Sequence, residues 1–154
     1  QGVFADYVII MGYDEHYSGS EEAGSVASYP YAEQGIQKML EEVPKEKVIN
    51  AVPFFTRFWK TDVDGSVTSE AIGMDEEDVK VQNNNAEKVW NETCKQYYVE
   101  FDYDGSTYQM WMEEENSIEE KMKLIKQYDL AGVSSWRLGY ERSSIWDVIL
   151  KYVN

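Results

Sequence analysis

Short apolar segments alternate with helical segments along most of this chain, and that alternation limits the folds it can adopt. Each strand-length apolar segment is followed by a stretch whose apolar residues recur with the spacing of one helix face. Strands joined through a helix run parallel, because such a crossover returns the chain to the same end of the sheet. The predicted strands are 7–11, 47–55 and 130–136, and the predicted helices are 32–43, 117–128 and one that begins at Ser144.

Residues 61–113 interrupt the alternation and predict a small α+β unit. Two Asp-Gly pairs, at 64 and 104, are typical of hairpin turns. The predicted elements are a helix that begins in the acidic run 75–78, a helix over 86–94, and strands over 97–103 and 106–112. The order β-α-β-(insertion)-α-β-α therefore predicts an α/β domain with an α+β insertion.

Charge and cysteine content exclude several classes of function. A net charge of -15 argues against nucleic acid as a partner, because the chain cannot neutralise a row of phosphates. No apolar run of about 18 residues exists, so no membrane span is predicted. One cysteine cannot form an intrachain disulfide, and no Cys/His cluster suits zinc, so neither a metal nor a cofactor is predicted. Uncharged sugars remain compatible partners.

The first predicted strand ends in a cluster of polar residues. The apolar run Tyr7–Met11 is followed by Gly12, Tyr13, Asp14 and more polar residues. Parallel sheets and α/β barrels place their chemistry at the C-terminal ends of their strands. The alternative is a core strand followed by an ordinary polar turn, and this stretch alone leaves both open.

Three segments, in the right order, resemble motifs of glycoside hydrolase family 18, the chitinase-like barrels. Met11-Gly-Tyr-Asp14 is similar to the M-x-Y-[DN] motif, and Ala51–Trp59 resembles the Pro-x-Tyr-Gly-Arg-x-Trp strand. Ala131–Trp136 is similar to the final strand, whose Trp forms the floor of a sugar subsite. Trp136–Glu141 and the hairpin residues Gln109–Met112 resemble the bacterial spore-cortex-lytic branch, N-acetylglucosaminidases that degrade peptidoglycan.

The resemblance implies a partial TIM (β/α)8 barrel. Residues 1–60 and 114–154 would supply strands six to eight, and residues 61–113 would be the α+β insertion. A complete barrel needs about 250 residues, so the first five strands would be absent. The family's D-x-x-D-x-D-x-E motif, whose Glu is the proton donor, is also absent from this sequence. The chain alone is therefore expected to be inactive, with its open sheet edges covered by self-association.

The resemblance also implies roles for individual residues. Tyr13 would donate its hydroxyl to the acetamido oxygen of the sugar, and Asp14 would support the reacting end electrostatically. Arg57 would reach hydroxyls or a lactyl carboxylate, which suits a forked cationic donor. The predicted catalytic residues are Tyr13 and Asp14, and the predicted substrate-binding residues are Met11, Arg57, Trp59 and Trp136.

Three functions remain open at this point. The first is the C-terminal part of a glycosidase that hydrolyses N-acetylglucosamine-containing polymer, chitin or peptidoglycan, by substrate-assisted retaining catalysis, with a secreted, cell-envelope or spore location. The second is a non-catalytic carbohydrate-binding module that uses Tyr13, Trp59, Trp111 and Trp136 as stacking platforms. The third is a structural domain whose aromatic residues, Phe58 and Trp59 among them, are core.

Overall fold

The structure, a computed structural model, describes residues 2–153. Its described strands form a three-stranded parallel sheet and a five-stranded antiparallel sheet. The elements are β1 (Val8–Met11), α1 (Tyr29–Leu40), a 3-10 turn (Lys45–Lys47), β2 (Val48–Pro53), β3 (Phe55–Thr61), β4 (Val67–Gly73), α2 (Met74–Asn83), β5 (Val89–Asn91), β6 (Gln96–Tyr103), β7 (Ser106–Trp111), α3 (Glu115–Gln127), β8 (Gly132–Trp136) and α4 (Ser144–Leu150).

The parallel sheet has the order β1-β2-β8, and helices cover one of its faces. Val52 packs in a buried cluster with residues of α3 and α4, and Ile10 packs against the core of α1. Side chains alternate between faces along a strand, so Ile9, Met11 and Trp136 lie on the opposite face. These three are 54%, 70% and 54% exposed. The sheet is therefore apolar on both faces but buried against helices on one.

Helix α3 begins two residues before the predicted start. Glu114 is its N-cap, and the Glu114 carboxylate accepts hydrogen bonds from the backbone N–H groups of Asn116 and Ser117. The Ser117 hydroxyl in turn accepts from the N–H of Glu114. This is a capping box with the carboxylate and hydroxyl positions exchanged, so the helix is confirmed with an earlier first turn.

The parallel sheet ends earlier than the sequence predicts. The sequence predicts one strand over residues 47–55, but β2 ends at Pro53 and Phe54 lies in a bend. The N–H of Phe54 donates to the carbonyl of Trp136 at 2.7 Å, which completes the parallel pairing. From Phe55 the chain pairs with β4 and β7 of the antiparallel sheet. Strand pairing therefore changes from the parallel to the antiparallel sheet at this bend, and the predicted division into residues 1–60 with 114–154 and residues 61–113 stays a prediction.

Residues 86–94 do not form the predicted helix. They contain the short strand β5, which pairs with β6, and a turn in which Asn91 accepts hydrogen bonds from the N–H groups of Thr93 and Cys94. The edge of the antiparallel sheet satisfies this backbone, so tertiary pairing overrides the helical spacing of the apolar residues. The predicted strands 97–103 and 106–112 are confirmed as β6 and β7 within one residue at each end.

The mixed α/β content predicted from the sequence is confirmed. The assignment of β1, β2 and β8 to strands six to eight of a barrel stays a prediction. Among residues 2–153, no helix has the length and apolar content needed to cross a membrane.

A buried polar cluster joins the antiparallel sheet to α3. The Glu113 carboxylate is fully buried and accepts hydrogen bonds from Lys121 Nζ at 2.9 and 3.2 Å. It also accepts from the Ser117 hydroxyl and from Gln96 Nε2, at 2.8 and 2.7 Å. Gln96 belongs to β6, so this cluster ties the antiparallel sheet to α3 through charge-assisted hydrogen bonds.

A second buried carboxyl, Glu77 of α2, lies beside this cluster. Its Oε1 accepts from the N–H of Glu113 at 3.4 Å, and its Oε2 has no hydrogen-bond partner. Burial, and then the Glu113 carboxylate and more weakly that of Glu114, raise the pKa of Glu77 well above its ordinary value, while the Arg142 guanidinium opposes the shift. Glu77 is therefore neutral in the folded protein over a pH range in which it ionises in the unfolded chain.

Stability is expected to fall with rising pH on account of Glu77. The neutral carboxyl contributes fully below its ordinary pKa of 4.5, and that contribution is lost as pH rises toward the elevated folded value. We expect Glu77→Gln to raise the free energy of unfolding by about 1–3 kcal/mol near pH 8 and to change it little near pH 5. Urea denaturation at both pH values measures this. An equal effect at both values would contradict it.

Candidate active site

The loop that follows β1 begins with a close backbone approach. The N–H of Gly12 donates to the carbonyl of Ala51 at 3.1 Å. A Cβ atom at Gly12 would lie 2.7 Å from that carbonyl oxygen and 2.7 Å from Oδ1 of the buried Asn50. The chain then turns at Asp14, whose φ of 63° lies in the left-handed region. Glycine at 12 and the turn at 14 set the direction in which Tyr13 and Asp14 leave the sheet.

Two side chains hold this turn against the start of α1. The Tyr31 hydroxyl donates to the backbone carbonyl of Tyr13 at 3.2 Å. The Glu15 carboxylate accepts from the N–H and the hydroxyl of Ser28, the N-cap of α1, at 2.7 and 3.0 Å. The backbone on both sides of Asp14 is thus fixed to one helix terminus.

The Tyr13 ring contacts Phe55 edge to face, with 6.2 Å between ring centroids, and Phe55 contacts Tyr140 at 6.4 Å. Tyr13 is half-buried in this row, whereas Asp14 is exposed. Partial burial, and then the neighbouring Asp14 carboxylate, raise the pKa of Tyr13 above 10.0. The phenol therefore stays protonated at neutral pH and can donate a hydrogen bond to a ligand.

Trp136 lies at the C-terminal end of β8, where its partner in β2 is Pro53. Met11 ends β1 in the same sheet and pairs with Ala51. Because the strands are parallel, these ends share one edge of the sheet. The sheet therefore brings Met11, Tyr13, Asp14 and Trp136 to that edge, with both Met11 and Trp136 exposed.

Arg57 lies on β3 of the antiparallel sheet and is half-buried. Its Nη1 donates to the Ser69 hydroxyl at 3.1 Å, and its buried Nε has no hydrogen-bond partner. Among residues 2–153, no carboxylate lies within ion-pair distance of its guanidinium. A desolvated N–H without a partner is costly, so Nε of Arg57 is an unsatisfied donor in this arrangement.

Trp59 is only 1% exposed, unlike the other predicted binding residues. Its indole Nε1–H donates to the carbonyl of Gly24 at 2.9 Å. Neither face of this ring is available as a sugar platform. The position of Trp59 agrees with the alternative that it belongs to the core. Phe58 is also buried, on the opposite face of β3 and against Ile72 and Met110.

Sequence inspection missed several residues of this edge. Phe55 and Tyr140 form the aromatic row beside Tyr13, and Tyr31 and Glu15 hold its backbone. Glu15 directly follows the Met11–Asp14 motif, and Tyr140 lies within Trp136–Glu141, the segment that resembles the spore-cortex-lytic branch. For Tyr31, 18 residues from Tyr13, no local signal indicated the contact.

The chain is similar to proteins of known family. The family model described as Glycosyl hydrolases family 18 matches residues 2–141. An uncharacterized glycosylase, YvbX of Bacillus subtilis, is 32% identical over 151 residues, which span 97% of this chain and 43% of that protein. This chain thus spans less than half the length of that relative.

Two solved structures share the fold. The Bacillus cereus spore cortex-lytic enzyme SleL superposes with a TM-score of 0.91 at 21% identity, over 100% of this chain and 37% of SleL. A class V chitinase mutant from Cycas revoluta, in complex with (GlcNAc)3, has a TM-score of 0.81 at 21% identity over 99% of this chain and 48% of that one.

Proposed function

Because the chain belongs to glycosyl hydrolase family 18, we propose that it supplies the Tyr13 and Asp14 side of an active site that hydrolyses N-acetylglucosamine-containing polymer. The observation that carries the proposal is that a protonated phenol, an exposed carboxylate and an exposed indole follow or end strands at the same end of the parallel sheet. A phenol donor suits an acetamido oxygen, and an indole suits the apolar C–H face of a sugar ring.

The proposed reaction is substrate-assisted. The acetamido carbonyl oxygen of the sugar attacks C1, the C1–O glycosidic bond breaks, and a carboxylic acid protonates the departing oxygen. Water then attacks C1 of the oxazolinium intermediate and gives a proton to the carboxylate left in the first step. The bond from C1 to the acetamido oxygen breaks, which restores the acetamido group with net retention, unlike the two-carboxylate scheme. Tyr13 would hold the acetamido oxygen, and the Asp14 carboxylate would stabilise the positive charge that develops on the oxazoline.

The proton donor of this reaction would come from outside residues 1–154. These residues contain no D-x-x-D-x-D-x-E sequence. Asp75-Glu-Glu-Asp78, the densest acidic run, lies in the first turn of α2 and not after a parallel strand. The chain alone would therefore bind substrate without turning it over.

The uncovered face of the parallel sheet supports the assignment of β1, β2 and β8 to strands six to eight of a barrel. A (β/α)8 barrel fills its interior with side chains from every strand. Ile9 and Met11 are apolar, lie on the face away from the helices and are more than half exposed, as expected of interior positions whose neighbouring strands are elsewhere. In the chain alone, we propose that self-association covers this face.

The remaining binding residues would act on the sugar in different ways. Met11 would pack beneath the sugar and Trp136 would be its platform. The half-buried Arg57 guanidinium would donate to hydroxyls or to a lactyl carboxylate, which peptidoglycan carries and chitin lacks. Trp59 is not retained as a platform, because its ring is buried.

We expect Trp136→Ala to weaken binding of tri-N-acetylchitotriose by about tenfold or more, because the stacking surface is removed. Isothermal titration calorimetry of the 154-residue chain measures this. Trp146→Ala is the matched control, since Trp146 is also partly exposed but lies on α4 and contacts Phe54. Its affinity is expected to equal that of the wild type. Equal affinities for all three proteins would contradict the platform.

The same preparation separates catalysis from binding. Incubation of the chain with chitooligosaccharide or cortex fragments is expected to release no product. Turnover would contradict an external proton donor. Binding without turnover also agrees with a non-catalytic carbohydrate-binding module, and addition of a polypeptide that carries the preceding barrel strands distinguishes the two, because only a divided active site gains activity.

A further inference from the structure

The loop over residues 12–28, which carries Tyr13 and Asp14, is closed by hydrogen bonds at its base. The N–H of Glu15 donates to the carbonyl of Val26 at 2.8 Å, and the N–H of His16 donates to the carbonyl of Ser25 at 3.2 Å. The His16 ring Nδ1 lies 2.8 Å from the same Ser25 carbonyl. A carbonyl only accepts, so Nδ1 carries the proton. Segment 24–26 therefore determines where the backbone after Asp14 lies.

Segment 24–26 is itself hydrogen-bonded to the antiparallel sheet. Trp59 of β3 donates its indole N–H to the Gly24 carbonyl at 2.9 Å. Gln96 of β6 accepts at Oε1 from the Ser25 hydroxyl at 2.6 Å, in a buried contact. The two hydrogen bonds come from different strands and hold the consecutive loop residues Gly24 and Ser25.

Close packing of His16 against Gly24 links the Trp59–Gly24 hydrogen bond to the backbone beside Asp14. A Cβ atom at position 24 would lie 2.4 Å from the His16 ring. The imidazole is thus pressed directly against the Gly24 backbone, which Trp59 holds. A shift of the Gly24 peptide would move His16, two residues from Asp14.

Gln96 is a rigid anchor, because its amide is fixed at both ends. Nε2 donates to Glu113, which is held in turn by Lys121 and Ser117 of α3. Gln96 and Glu113 are both 0% exposed. The Ser25 hydroxyl therefore hydrogen-bonds to an amide whose orientation the protein core determines.

We propose that Trp59 and Gln96 are positioning residues, through which the antiparallel sheet sets the geometry of the Tyr13–Asp14 loop. The antiparallel sheet then fixes the position of the loop over residues 12–28 through hydrogen bonds from β3 and β6. Only the saccharide-binding part of the test rests on the proposed function, since loop geometry has its own readout.

The test uses Trp59→Phe, which removes the indole N–H and keeps an aromatic ring, and Gln96→Met, which keeps the shape of the side chain. Hydrogen exchange of the Glu15 and His16 amides is measured by NMR relative to the Phe54 amide, which reports on the parallel sheet. Each variant is expected to raise the ratio of the Glu15 and His16 exchange rates to the Phe54 exchange rate by about tenfold. Each is also expected to weaken tri-N-acetylchitotriose binding.

Phe58→Leu is the matched control, because Phe58 neighbours Trp59 on β3 but packs on the other face of the sheet. It is expected to destabilise the protein and to leave the exchange ratio unchanged. Ser25→Ala is also expected to raise the exchange ratio, and its effect is expected to be less than additive with that of Gln96→Met, because both variants remove the Ser25–Gln96 hydrogen bond. Each also removes one contact of its own, from the Ala27 N–H in Ser25→Ala and to Glu113 in Gln96→Met.

The outcomes distinguish this proposal from the proposed function. An unchanged exchange ratio in Trp59→Phe and Gln96→Met, or additive effects of Ser25→Ala and Gln96→Met, would overturn the positioning role even if the saccharide binds. Absence of binding to the wild-type chain, with raised exchange ratios in both variants, would overturn the proposed function and support the positioning role.

Discussion

Replacement of Lys121 by methionine is expected to lower the free energy of unfolding by about 3–5 kcal/mol, because it leaves the Glu113 carboxylate buried without its cation. Lys121 and Glu113 are 1% and 0% exposed and lie 2.9 Å apart. Methionine fills much of the same space, so lost packing contributes little. Denaturation in urea, followed by far-UV circular dichroism, measures the change.

Lys123→Met is the matched control for this prediction. Lys123 lies one half-turn away on α3 and pairs with Glu120 at 2.6 Å, but about half of its side chain is exposed. Its removal is expected to change stability by less than about 0.5 kcal/mol. The double variant Lys121→Met/Glu113→Gln is expected to recover part of the lost stability. A Lys121→Met variant as stable as Lys123→Met would show that the buried pair contributes nothing.

Gly12→Ala is expected to lower the free energy of unfolding by about 3 kcal/mol. The added methyl group would lie 2.7 Å from the Ala51 carbonyl oxygen, a backbone atom that cannot move without breaking the β1–β2 pairing. The displacement of β1 would also carry Tyr13 away from Phe55, so weaker saccharide binding should accompany the loss. Thermal unfolding and calorimetric titration of the same sample measure both effects.

Gly132→Ala provides the comparison at another strand of the same sheet. A Cβ atom there has no neighbour within 4 Å, so we expect stability within about 0.5 kcal/mol of the wild type. Similar losses in both variants would mean that backbone freedom rather than the close contact explains the cost at Gly12.

Much of the parallel sheet could be predicted because its signals are local. Strand-length apolar runs separated by amphipathic helices indicate parallel strands whatever lies elsewhere in the chain. The motif around Tyr13 and Asp14 lies within four residues, and Trp136 ends a strand, so their common edge follows from strand direction alone. These residues do lie there.

The antiparallel sheet was harder to predict because strand pairing selects among weak local preferences. The run from Val48 to Phe55 is continuously apolar, and only the different partners of β2 and β3 reveal the bend at Phe54. Residues 86–94 have apolar residues at helical spacing but lie at a sheet edge, where β6 satisfies their backbone. Arg57 and Trp59 lie on the same face of β3, as their spacing predicts. The loop that buries Trp59 is over 30 residues away in sequence, so no local signal indicates the burial.

By itself, the sequence determined the class of the fold, the parallel direction of β1, β2 and β8, and the residues that meet at their ends, because each depends on spacing within a few residues. Only the tertiary structure decided that Trp59 is buried against Gly24, that Gln96 holds Ser25, and that Glu113 and Lys121 form a buried pair. Most of these contacts join residues far apart in sequence, and burial depends on which segments cover a side chain. Which segments cover a side chain depends on the free energy of the whole folded structure.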